Sequence, residues 1–151
     1  MSAPSVEQRL RLFLLGLAGL MCVGTTIELA FSGHTKRPIQ YLPFALCGLG
    51  LAVILGVLLR PQRGTIWALR SVMAAIVLGG FLGMYEHVRS NLELVMEVRP
   101  DTALATALWK SLGSAAPLLA PGILGLIALI AVAATYSHPA LGNRPGAPSL
   151  S

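Results

Sequence analysis

Four stretches of this chain run for about 20 residues with almost no ionised side chain, and that feature restricts the available folds more than any other. They are LFLLGLAGLMCVGTTIELAF (12–31), IQYLPFALCGLGLAVILGVLL (39–59), TIWALRSVMAAIVLGGFLGMY (65–85) and LLAPGILGLIALIAVAATY (118–136). A helix rising ~1.5 Å per residue needs roughly 20 residues to cross ~30 Å of hydrocarbon. Only 11% of the residues are charged, where a soluble domain carries roughly 25%. So little polar surface cannot cover a water-facing globule of this size. A closed β-barrel needs many short alternating strands, whereas these segments are continuous. The reading is an all-α integral membrane four-helix bundle, one domain over 1–136. An outer connector at 86–117 carries short interfacial helices, and a flexible Pro- and Gly-rich tail follows at 137–151.

The loops 32–38 and 60–64 are too short to join anything but antiparallel neighbours. Four crossings place both ends of the domain on one side, with Arg9, Arg11, Arg60, Arg63, Arg70 and Arg144. The other side carries Lys36, Arg37, Arg89, Arg99 and Lys110 among the acidic residues Glu28, Glu86, Glu93, Glu97 and Asp101. The two-arginine turn and the basic residues before the first span favour cytoplasmic termini. Arg70 must snorkel to the nearer surface, with Trp67 in the interface. The run RLRLFLLGLAGLMC imitates a signal peptide but leads to no small-residue cleavage site, so it is expected to stay in place. The net charge of +5 is spread over segment ends, which argues for lipid headgroups as partners and against nucleic acid.

Apolar side chains gain little by meeting one another in lipid, so close packing of small residues must hold the helices. Ala18, Cys22 and Thr26 repeat at four-residue spacing; so do Gly48, Ala52 and Gly56, and Gly79 with Gly83. Each set is either an internal packing face or a docking face for a membrane-protein partner or a second copy. Pro117 suits the first turn of the fourth helix, with Ser114 as a cap. Pro121 and Pro43 are expected to bend their helices near the outer side.

The third segment runs into GMYEHVRSNLELVMEVRPD, where charges return abruptly. Residues 92–99 fit either an extended strand or a helix. A lone strand beside lipid would leave backbone groups unpaired, so the helix is favoured. Glu86, Arg89 and Glu93 then stand at ion-pair spacings, and Pro100 ends the segment. A second short helix, TALATALWKSLG, would present Leu104, Leu108, Trp109 and Leu112 to the membrane surface and stop at Gly113.

Chemistry-bearing residues are few. Glu28, His34, Glu86 and His87 all approach the outer face, where carboxylate and imidazole can hold a divalent metal or relay protons. The simpler account pairs Glu28 with Lys36, Arg37 or a hydroxyl and leaves the histidines at headgroup level. Cys22 and Cys47 sit at similar depths in adjacent spans; they are either small hydrophobes or a facing pair open to a soft metal or an oxidant. No HxxxH, CxxC, HExxH or phosphate-loop spacing occurs, so neither enzymatic activity nor a cofactor is expected.

At GMYEHVRSNLE and APLLAPGILGLIALIAVAATYSHPA the chain resembles small multi-pass bacterial membrane proteins of uncharacterised type. The resemblance covers the third span through the fourth and implies a bacterial inner-membrane location; it carries over no catalytic residue. The expected function is that of a non-enzymatic small subunit or accessory factor of a membrane assembly. The alternative is a small transporter, or a metal- or proton-responsive protein, working through the outer carboxylate and histidine residues.

Overall fold

The computed structural model describes residues 5–33, 38–112 and 119–142, and these are helical with short joints and no strand. Helix α1 (Val6–Phe31) starts where the Ser5 side chain accepts the Gln8 amide at 3.2 Å, satisfying one orphan donor of the first turn. A 3₁₀ turn at Pro38–Tyr41 leads into α2 (Leu42–Leu59). Helix α3 (Arg63–Val98) opens on a reciprocal cap in which Gln62 and Thr65 each bond the other's backbone. Then come α4 (Leu104–Leu112), α5 (Leu119–Ala134) and a single turn, α6 (Pro139–Gly142).

Helix α1 packs on α2 and α5, α2 on α3, and α3 on α5, so these four helices close a ring of neighbours, while α4 lies against α3. Two long-range hydrogen bonds fix the direction of travel. Arg11 near the start of α1 reaches the Ser137 carbonyl (2.7 Å), and Arg70 near the start of α3 reaches the Thr135 carbonyl (2.7 Å). The starts of α1 and α3 therefore share one end, here the near end, with the finish of α5. Successive members of the ring run in opposite directions.

The core is a column of small and branched side chains. Ala18 and Cys22 of α1, Cys47 and Ile54 of α2, Met73 and Ile76 of α3, and Ile127 and Ala131 of α5 are buried in it. Outside it, large apolar residues face outward: Phe13 is 65% exposed, Leu78 69% and Leu129 66%. A belt of this kind needs lipid rather than water as its solvent. Helices α1, the 3₁₀ turn with α2, and α3 are each long and apolar enough to cross a membrane. The described part of α5 covers 16 residues, about 24 Å by helical rise.

The third segment departs from its expected limits. No break occurs at residue 85; α3 continues as one helix of 36 residues to Val98, about 54 Å. Its second half contains neither Gly nor Pro after Gly83, and Arg89 bonds Glu93 across one turn at 2.9 Å. With nothing to stop it, the helix runs on until Pro100, whose missing amide ends it just beyond the Arg99 cap. Residues 92–98 are thus helical, and the connector is an extension of α3 with α4 folded back on it. Pro43 falls in the first turn of α2, where the absent N–H has no helical partner to lose, and Pro121 lies within the described part of α5. Pro117, Ser114, Gly113 and the tail from 143 lie outside the described residues.

Candidate functional site

Of the outer residues singled out by chemistry, Glu28 lies on α1 and Glu86 and His87 lie on α3. Glu28 is exposed near the end of α1, whereas Glu86 and His87 are half-buried on α3. Helices α1 and α3 stand diagonally in the ring, with α2 and α5 between them. Among the described residues no group of three His, Cys, Asp or Glu side chains converges to hold a metal ion. His34, Lys36 and Arg37 lie outside those residues.

What the fold does gather is the thiol pair. Cys22 and Cys47 are fully buried free thiols on the adjacent helices α1 and α2. Thr26 also donates to the Cys22 carbonyl at 2.8 Å, a bond back along its own helix. Gly50 permits the approach. A Cβ there would lie 3.1 Å from Ile76 Cδ1, 3.4 Å from Cys22 Sγ and 3.8 Å from Met73 Cε. Three sulfur-bearing side chains thus surround the junction of α1, α2 and α3. Cys47 and Gly50, three residues apart, share the inner face of α2.

The near end is a collar of basic residues around the finish of α5. Arg70 donates from Nη2 to the Thr135 carbonyl (2.7 Å) and the Tyr136 carbonyl (3.2 Å), with its guanidinium 5.6 Å from the Trp67 ring centre. Arg11 pairs with Glu7 and donates to the Ser137 carbonyl. Two cations therefore sit on the negative end of the α5 dipole and on carbonyls that have no helical partner. His138 completes the collar: its Nδ1 accepts the Ala140 amide at 3.2 Å. Burial holds this imidazole below its ordinary value, and nearby Arg11 pushes the same way against the weaker pull of Glu7. The sequence places Arg70 near a membrane surface, but that it caps another helix depends on α5 ending beside it.

Beyond the ring, Asn91 is the polar link between α3 and α4. It is buried and donates from Nδ2 to the Ser111 carbonyl at 3.0 Å, satisfying one of the last acceptors of α4. Ala107 and Ser111 face α3, while Leu104, Leu108 and Trp109 point away, as the amphipathic pattern anticipates. Nothing marked Asn91 in the sequence except that it is the lone side-chain amide of α3.

The small-residue faces divide in two. Ala18 and Cys22 are buried, and Gly79 receives Leu46 so closely that a Cβ would lie 3.7 Å from Cγ and closer still to Cδ1. Gly83 is half-buried on the same helix. By contrast, Gly48 and Ala52 are exposed and Gly56 is half-exposed; a Cβ at Gly48 or Gly56 would meet nothing within 4 Å. The α2 ridge points out of the ring. No protein-family model, no curated protein and no solved structure matches the chain.

Proposed function

We propose that this chain is a small, non-enzymatic subunit or accessory factor of a membrane assembly, crossing a bacterial inner membrane four times with both termini in the cytoplasm. The single observation that carries this reading is the outward ridge Gly48–Ala52–Gly56. Of the other two sets, Ala18, Cys22 and Gly79 pack inside the ring, whereas this set has open space above both of its glycines. A flat, glycine-lined groove lets another helix's backbone approach closely, which is how helices associate in lipid. The occupant is a transmembrane helix of a partner or of a second copy. The alternating ring supports four crossings, with α5 as the fourth member, and the collar of Arg11 and Arg70 supports a cytoplasmic near end.

The test is photo-crosslinking in intact membranes from a probe placed at Ala52, with Leu129 on the lipid-facing side of α5 as control. A discrete adduct from Ala52, lost on Gly48→Leu and absent from Leu129, is the expected result. Equal labelling from both positions, or none from Ala52, would overturn the proposal.

A further inference from the structure

We infer that Cys22 and Cys47 form a binding site for one soft monovalent cation of the Cu(I) or Ag(I) type, held between the two sulfurs in the interior of the ring. The inference stands apart from the docking ridge, which lies on the opposite side of α2.

Number, softness and charge of the donors lead to this ion class. Both thiols are fully buried on adjacent helices, Cys22 Sγ packs against the face of α2 that carries Cys47, and among the described residues no third His, Cys, Asp or Glu joins them. Zinc in a protein takes four nitrogen, sulfur or oxygen ligands, which this site does not offer. A soft d¹⁰ monovalent ion is selected by thiolate and thioether sulfur, and two sulfurs facing one another suffice for a digonal ion. Met73 supplies the third sulfur-bearing side chain at the same junction, with its methyl near the point approached by Cys22 Sγ. Hard cations find no carboxylate or carbonyl cage there, and an uncompensated double charge is excluded by the apolar surroundings.

Charge balance favours the same ion. The thiols bind as thiolates, so each sulfur that forms a full bond to the metal releases its proton to the medium. One thiolate, one thiol and one monovalent cation sum to a neutral unit with one proton released; two thiolates leave a single negative charge and release two. The neutral unit can occupy a low-dielectric interior without a counter-ion. Gly50 is what leaves the room, since any side chain there would press on Cys22 and Ile76.

The experiment is a Cu(I) titration of the full chain in detergent micelles, anaerobic and reduced, against a chromophoric Cu(I) chelator. One equivalent should be withdrawn from the chelator, with proton release and an X-ray absorption spectrum showing sulfur neighbours and no nitrogen. Cys22→Ser and Cys47→Ser should each lose the stoichiometric binding while keeping the helical circular dichroism and monodisperse elution of the parent. Met73→Leu, a conservative packing change, should weaken binding without abolishing it. Equal binding by the Cys22→Ser/Cys47→Ser double variant, retention by either single variant, or no withdrawal by the parent chain would each overturn the inference.

Discussion

Replacing Arg70 by methionine isolates one interaction on which the placement of α5 rests. The substitution keeps the length and apolar stem of the side chain and removes the guanidinium. Two charge-assisted bonds, to the Thr135 and Tyr136 carbonyls at 2.7 and 3.2 Å, disappear with it. Hydrogen bonds to charged groups contribute ~1.5–3 kcal/mol each, and the 3.2 Å bond belongs at the bottom of that range. Loss of a cation from a helix C-terminus adds ~0.3–1 kcal/mol. Against this, Arg70 Nε is buried with no hydrogen-bond partner, a cost of ~1–3 kcal/mol that methionine relieves. The net expectation is destabilisation by about 2 kcal/mol, or ~4–8 °C in the unfolding midpoint of a domain this size. Thermal unfolding in micelles, read by circular dichroism, measures it. Amide exchange over 131–136 shows whether the end of α5 frays. Arg70→Lys should recover part of the loss, because an ammonium restores charge at the helix end but not the forked donor geometry. An unchanged midpoint with unchanged protection in Arg70→Met would refute the account, since no other side chain among the described residues bonds those two carbonyls.

The remaining expectations concern separate parts of the molecule. Gly79→Ala should cost about 1–3 kcal/mol because Leu46 must leave its rotamer to admit the methyl, whereas Gly48→Ala should be near neutral; paired unfolding midpoints decide between them. Asn91→Leu should release α4 from α3 without disturbing the ring, raising exchange and proteolysis over 104–112 while the spans stay protected; unaltered protection of α4 would count against the Asn91–Ser111 link. His138 has its pKa lowered in the folded state, so the unfolded chain binds the proton more readily. Its contribution to stability is therefore complete above the ordinary value of 6.5 and is lost as pH falls through the lowered one. Protonation also removes the Nδ1 acceptor of Ala140, and His138→Gln should flatten that part of the midpoint-against-pH curve.

Much of this architecture was legible along the chain because lipid imposes severe terms. Uninterrupted apolar runs can satisfy their backbone only as helices, and the tight turn RPQRG forces α2 and α3 to run in opposite directions. The i, i+4 pairing of Arg89 with Glu93 and the stop at Pro100 are likewise local consequences of spacing and of a missing N–H. Residue 85 was misleading for an equally local reason. A change from apolar to charged composition marks a change of solvent, and a helix can pass from one solvent into the other without ending.

Tertiary structure decided what the period of a helix leaves open, namely which neighbour each face meets. Spacing alone gives the stripes at Gly48–Ala52–Gly56 and Gly79–Gly83 the same appearance, yet Leu46 fills the groove beside Gly79 and nothing covers Gly48. Equal depth offered two pairings, Glu28 with Glu86 or His87 and Cys22 with Cys47. The fold places the first set on the diagonal helices α1 and α3 and the second on the adjacent helices α1 and α2, where both thiols are buried. Sequence determined the elements and their solvent because those depend on local chemistry. The contacts between elements depend on rotations about the helix axes, and only the packing of all four helices together fixes those.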